Sequence, residues 1–365
     1  MRVLARLSVL VAVVAVGSYA PTAARVAAEA GQGPKLSSIG PLTFAADGTL
    51  FAADNQAAAI FALDLGAQAN GATPGAKGVE ALDQKLAALL GTSAREITIT
   101  DLAVHPRSRN AFVSVMRGQG AGAAPVLFRI DGTGAITMVA LGSLKFQKVE
   151  LTNAPAATPG ARNPRSNVVT DMAFTDGRLW VAGLSNEEFA SKLRALPYPF
   201  TAVDAGTSVE IYHGNHQQLE TRSPVNAFVP YQIDNKPYLV AGYTCTPLVK
   251  FQIGDLKPGQ KVRGTTIAEM GAGNRVLDMI VYKKGGQDFL LTANNSRGVM
   301  KIPTRDFATA SPITKPVLTE TGGIAYEKIT NLQGVEQLDK LDDQNAIILA
   351  RAASGAANLQ VVALP

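Results

Sequence analysis

The residues able to do chemistry are few and oddly distributed. Carboxylates and amides recur, whereas the 365 residues include three histidines and one cysteine. Asp101, Asp171, Asn226, Asp278 and Asn331, with Gly40 in the first unit, stand near the starts of apolar segments roughly 50–70 residues apart. Around one centre, three carboxylates and two amides would offer oxygen-only ligands suited to Ca²⁺ or another divalent cation such as Mg²⁺. The competing reading has each side chain accept backbone N–H bonds and cap its own turn. Recurrence in five of six units favours capping, since one ion needs only one site. A second set lies just beyond each second apolar segment: Asp54, Asn55, Arg117, Asn186, Glu187, Tyr243, Asn295 and Arg297. Such mixed donors and acceptors suit a small polar ligand or a partner protein.

His213-Gly-Asn-His216 looks like a metal pair. A hairpin turn at Gly214-Asn215 would place it on the outer edge, on the face away from the second set, and two ligands are too few for structural zinc. His105, before Pro106, belongs to another turn. Cys245 would need a base to act as a nucleophile, and no histidine is expected on its face, so a packed thiol is expected. No Ser-His-Asp set, nucleotide loop or haem-attachment motif stands out, and no catalytic residue is assigned.

These residues need a scaffold, and it is repetitive. SIGPLTFAADGTLFAAD (from Ser38), ITDLAVHPRSRNAFVSV (from Ile99), VTDMAFTDGRLWVAG (from Val169), VNAFVPYQIDNKPYLVAG (from Val225), VLDMIVYKKGGQDFLLTA (from Val276) and ITNLQGVEQLDKLDDQNAIILA (from Ile329) each read as strand, polar turn, strand. Third strands are expected at 60–65, 126–130, 209–213, 248–253, 299–302 and 359–364, with fourth strands at 135–141, 217–221 and 262–270. Four antiparallel strands per unit make the blade of an all-β propeller, here with six blades, or seven if the long first intervals hide a degenerate one. The last unit is a strand short, so residues 33–38 are expected to close it from the N-terminal side.

Three insertions break the rhythm. Residues 79–90 carry Val79, Leu82, Leu86, Leu89 and Leu90 at helical spacing. Residues 142–167 read as a connection, and 185–207 as a loop with a possible helix at 186–194. Loops between strands two and three, and connections into the next blade, open on one face of a propeller. That face is the expected binding face.

Arg2 and Arg6 precede an apolar run over residues 7–20, the pattern of a secretory signal peptide. Cleavage is expected after Ala20, Ala24 or Ala30, leaving one propeller domain over 31–365. Removing residues 1–30 takes the formal charge from +5 to +3. No basic run remains, so nucleic acid is not an expected partner, and no second apolar stretch reaches membrane length. The expectation is an exported, periplasmic or extracellular monomer. With one cysteine, no disulfide framework is available.

DGTLFAAD and TDMAFTDGRLWVAG resemble the six-bladed propellers of the NHL, SMP30-gluconolactonase and TolB-like superfamily. The PQQ-type quinoproteins, with a tryptophan motif in most blades, are less similar to a chain whose one tryptophan is Trp180. The SMP30 resemblance implies a divalent-metal lactonase held by a carboxylate, Asn and Asp set. Glu187, Asn295 and Asp54 have that chemistry, although no Glu stands on the first strand of blade one. Two functions follow: a non-catalytic propeller that binds at its channel mouth, or a metal-dependent hydrolase.

Overall fold

Alternation decides the local structure. In LFAAD, Leu50 and Ala52 enter one apolar cluster and Phe51 and Ala53 another, as a strand buried on both faces requires. The computed structural model is described over Val26–Ala27 and residues 33–365, except 159, 161, 162, 203 and 246. The segment read as a signal peptide therefore lies, apart from Val26–Ala27, outside the described residues.

Six antiparallel sheets form the blades of a six-bladed β-propeller. Blade one holds Leu42–Phe44, Leu50–Asp54 and Ala59–Asp64, and blade two Ile97–Val104, Ala111–Arg117, Ala124–Ile130 and Ile136–Met138. The chain then returns. Lys145–Glu150 pairs with Ala59–Asp64 as the fourth strand of blade one, and Val26–Ala27 edges it. Blade three has Asp171–Thr175, Arg178–Leu184, Ser191–Pro197, Thr207–His213 and Gln218–Glu220. Blade four has Ala227–Ile233, Lys236–Gly242, Pro247–Gln252 and Thr265–Glu269, and blade five Val276–Lys284, Gln287–Asn294, Val299–Pro303 and Glu327–Ile329. Blade six is Val335–Lys340, Asn345–Arg351 and Ala357–Ala363.

The apolar clusters between sheets give the order around the ring. Blade one packs on blade two through Phe61, Phe112 and Leu127, and on blade three through Phe51, Met172 and Val181. Blades three to six follow in sequence, and blade six packs on blade two through Ile347, Val113 and Phe128. The spatial order is therefore two, one, three, four, five, six. Burying each such Leu, Ile or Phe contributes about 1.5–3 kcal/mol.

Three sequence expectations change. Residues 142–167 are more than a connection, because Lys145–Glu150 is a blade strand whose Phe146 and Val149 pack inward. The possible helix at 186–194 is instead the run-up to the strand Ser191–Pro197, paired along its length with Arg178–Leu184. Its buried Lys192 and Arg194 disguise the alternation. Residues 33–38 do not close blade six, since Ser37 and Ser38 donate to Asp54 beside blade one. Closure comes from the first insertion: Val79 N–H donates to Leu359 O at 2.8 Å and the reverse bond is 2.9 Å. The expected helix, Leu82–Leu89, then caps the junction of blades two and six with Leu82 and Leu86 buried.

Candidate functional site

The inner strands begin at the channel mouth, and their carboxylates bind neighbouring blades. Asp101 accepts from its own neighbour Leu102 N–H (2.8 Å) and from Leu42 of blade one (2.6 Å). Asp171 accepts from Met172 and from Phe228 of blade four, both at 2.7 Å. Asp278 does so with Met279 (2.7 Å) and Leu338 of blade six (2.8 Å). Thr100 and Thr170 add hydroxyl bonds to Ile39 O and Val225 O. Each carboxylate is thus a staple between blades, which is the capping geometry extended across an interface.

The sixth position is not Asn331, which is exposed in the turn before blade six. Inner strands bulge between Ile99 and Asp101, Val276 and Asp278, and Val335 and Gln337. Gln337 is therefore the counterpart of the aspartates, and with its amide turned so that nitrogen faces the carboxyls, the orientation that satisfies both of its ends, its NH₂ reaches Asp101 Oδ1 (2.9 Å) and Asp278 Oδ2 (3.1 Å). A fourth carboxylate, Asp339, accepts from Lys340 (2.6 Å) and from Val104 of blade two (2.7 Å). Both escape the sequence reading because Ile329-Thr330-Asn331 mimics the ITD and VTD starts of other blades and sets the unit six residues early, ahead of the true inner strand Val335–Lys340.

These four carboxyls face a narrow channel, where solvent touches them while protein surrounds them. Burial pushes Asp171 up to about 7 and Asp339 up to about 6. Asp101 and Asp278 also stand well above the ordinary range, first through burial and then through mutual and neighbouring negative charge.

Above the ring lies a cavity of about 1100 Å³, within the range of ligand sites or slightly larger. Its walls come from blade one (Asn55, Gln56), the 118–123 loop of blade two, the connection ending in Ser166 and Asn167, and Asn226, Arg275 and Gln337. Most polar groups there are amides and hydroxyls. Arg165 and Arg275 are the cations among its described lining residues, and neither guanidinium has an ion-pair partner among the described residues. Arg165 Nε is buried without a hydrogen bond. No Asp or Glu lines it among the described residues.

The structure brings few of the expected ligand-binding residues to this cavity. Of that set Asn55 lines it, joined by Asn226 from the expected cation ring, and Asn55 also holds Val169 N–H (2.9 Å) and Ser166 O (2.9 Å). Asp54 is fully buried under four donors from Ser37, Ser38 and Ala57. Glu187 pairs with Lys192 and accepts from Asn153 (2.6 Å), and Asn186 N–H donates to Asn153 O. Asn295 Oδ1 holds Arg275 N–H (2.7 Å), and Arg297 pairs with Glu320 (2.5 Å). Arg117 is exposed outside the cavity wall, and Tyr243 is buried. Asp54, Glu187 and Asn295 thus serve separate blades and do not form the lactonase-type ligand set.

The histidine pair is misplaced by the sequence reading. Because Ser191–Pro197 is a strand, the turn after Thr207–His213 is on the mouth face. The turn spans residues 214–217, so His216 lies in the turn and Gln218 is paired with His213. Cys245, held at φ 60° with its N–H on Asn274 O (2.6 Å), lies beside both imidazoles. A ring nitrogen of His213, one of His216 and the Cys245 sulfur all lie within 4.8 Å of one another. His105, by contrast, accepts from Ser108 N–H (3.0 Å) in a strand-one-to-two turn of blade two.

No protein-family model matches the chain, and no curated protein matches it. Among solved structures, the apo soluble aldose sugar dehydrogenase of Escherichia coli aligns at 11% identity over 93% of this chain and 100% of its own, with TM-score 0.36. The PQQ-bound aldose sugar dehydrogenase of Streptomyces coelicolor aligns at 12% over 94% and 99%, with TM-score 0.32. An engineered GH43 glycoside hydrolase with endo-xylanase and exo-arabinofuranosidase activity aligns at 12% over 70% and 48%, with TM-score 0.33. At these scores the likenesses do not separate one propeller family from another. The chain is a six-bladed β-propeller on the strength of its own strand order.

Proposed function

We propose that the protein is an exported binding propeller whose channel mouth takes a small, hydroxylated anion. One observation carries this reading: the mouth cavity is walled by amides and hydroxyls, with two unpaired guanidinium groups and no carboxylate among its described lining residues. Guanidinium groups bind carboxylate or phosphate through charge-assisted forks, while neutral amides orient hydroxyls. The raised carboxyls below, held by backbone N–H groups, serve as the floor that fixes the blades. The apolar run after Arg2 and Arg6 supports export.

A thermal-shift screen of sugar acids, sugar phosphates and their neutral parent sugars tests the reading. Charged members should raise the melting temperature and neutral ones should not. Replacing Arg165 and Arg275 together by Ala should weaken the best binder about 10–100-fold. Equal binding by the double variant, or preference for the neutral sugars, would contradict it.

A further inference from the structure

The junction of blades three and four holds a polar cluster that mouth binding does not use. His213 is fully buried, and Glu269 is 1% exposed. His213 Nδ1 meets Glu220 Oε1 at 3.0 Å, and His216 Nδ1 meets the same oxygen at 2.6 Å. Both Nδ1 atoms are thus engaged by one oxygen, which leaves Nε2 as the nitrogen of each ring free to turn towards a further partner.

The two Nε2-side atoms present the decisive geometry. His213 Nε2 and Glu269 Oε2 are both buried, neither has a hydrogen-bond partner, and they stand 3.7 Å apart. Glu269 Oε1 is already held by Gly214 N–H at 2.6 Å. A buried pair left without a hydrogen bond is costly, and a proton or a metal cation between the two atoms removes that cost. Cys245 supplies a sulfur on the same side as the imidazoles, and the rings lie 3.7 Å apart between centroids.

We propose that His213, His216 and Cys245 form a transition-metal site of the zinc class, with Glu269 as fourth donor and Glu220 as the carboxylate behind both imidazoles. Imidazole nitrogen with thiolate sulfur is the donor set that Zn²⁺ favours over Ca²⁺ or Mg²⁺. One carboxylate fixing the Nδ1–H of two histidines is the arrangement that orients metal-bound imidazoles. Bond lengths of about 2.0–2.3 Å put tetrahedral ligand atoms about 3.5 Å apart, so side-chain shifts of about 1 Å bring the His213, His216 and Cys245 atoms together, with Glu269 following from its place 3.7 Å from His213 Nε2. Binding would displace the thiol proton of Cys245 to solvent and tie blade three to blade four.

The test uses the full chain without an affinity tag, stripped with chelator and reloaded with Zn²⁺ or Co²⁺. One equivalent of zinc should survive gel filtration, and the cobalt form should show a sulfur-to-metal charge-transfer band in the near ultraviolet. Cys245→Ser should lose that band. His216→Ala, at a side chain 43% exposed, should lose stoichiometric retention while melting like the parent in chelator. Glu220→Gln should weaken binding about 10–100-fold. No retained zinc, no sulfur band in the parent, or unchanged affinity in His216→Ala would each overturn the proposal.

Discussion

At the scale of single residues, the aspartate ring joins stability to pH. Asp171 at about 7 and Asp339 at about 6 keep protons in the folded chain that the unfolded chain releases near pH 4. Asp101 and Asp278 shift the same way. The ring therefore adds stability at the acid end of the pH 4–7 window and loses it as pH rises through 6 and 7. The slope is up to about 1.4 kcal/mol per pH unit for each retained proton. Urea unfolding at pH 5, 6, 7 and 8 should show this decline, and Asp101→Asn with Asp278→Asn should flatten it. Asp101→Ala strips acceptors from two backbone N–H groups and should cost about 2 kcal/mol at any pH in this range. A stability profile that rises from pH 5 to 8 and is unchanged in the double variant would contradict the shared-carboxyl picture. The ring itself was legible in the sequence, because an aspartate near the start of a blade recurs at Asp101, Asp171 and Asp278. Gln337 and Asp339 were not, because Ile329-Thr330-Asn331 carries the same apolar-Thr-polar pattern six residues earlier, and only the pairing of Val335–Lys340 shows which copy is the inner strand.

At the scale of elements, one strand decided which side chains share a face. Hairpins alternate between the two ends of a blade, so reading Ser191–Pro197 as loop and helix moves every later turn of blade three to the wrong end. That single error separated His213 and His216 from Cys245. Lys192 and Arg194 caused it, since charged residues are normally exposed and so speak against a strand buried on both faces, yet here both are buried. The helix Leu82–Leu89 was legible because its apolar spacing is intact, but its task was not. It carries the strap that completes blade six, through the paired bonds of Val79 and Leu359. Val79→Pro should remove the N–H that bonds Leu359 O and open the outer edge of that blade. Leu86→Ala, in a fully buried position, should cost about 2–5 kcal/mol. Both variants should also gain protease cleavage near the junction of blades two and six. Parental melting and protease resistance in Val79→Pro would show that the strap does not close the ring.

At the scale of the whole molecule, blade number was legible and blade order was not. Repeats record how many units there are, whereas their order depends on which sheet faces the return strand Lys145–Glu150. That strand threads the chain back through blade one before it enters blade three, leaving Ala157, Thr158, Asn163 and Arg165–Asn167 at the mouth. The long connection is thereby delivered to the mouth, where Arg165, Ser166 and Asn167 wall the cavity against Arg275 and Gln337. The ring order and the binding face are one consequence of the same return. The direct test is a crystal structure of the protein with the tightest-binding sugar acid or sugar phosphate from the screen. The account predicts difference density in the mouth cavity, with the anionic group against Arg165 or Arg275 and hydroxyls near Asn55 and Gln337. Density for the ligand only outside that cavity, with the mouth filled by ordered water, would contradict it.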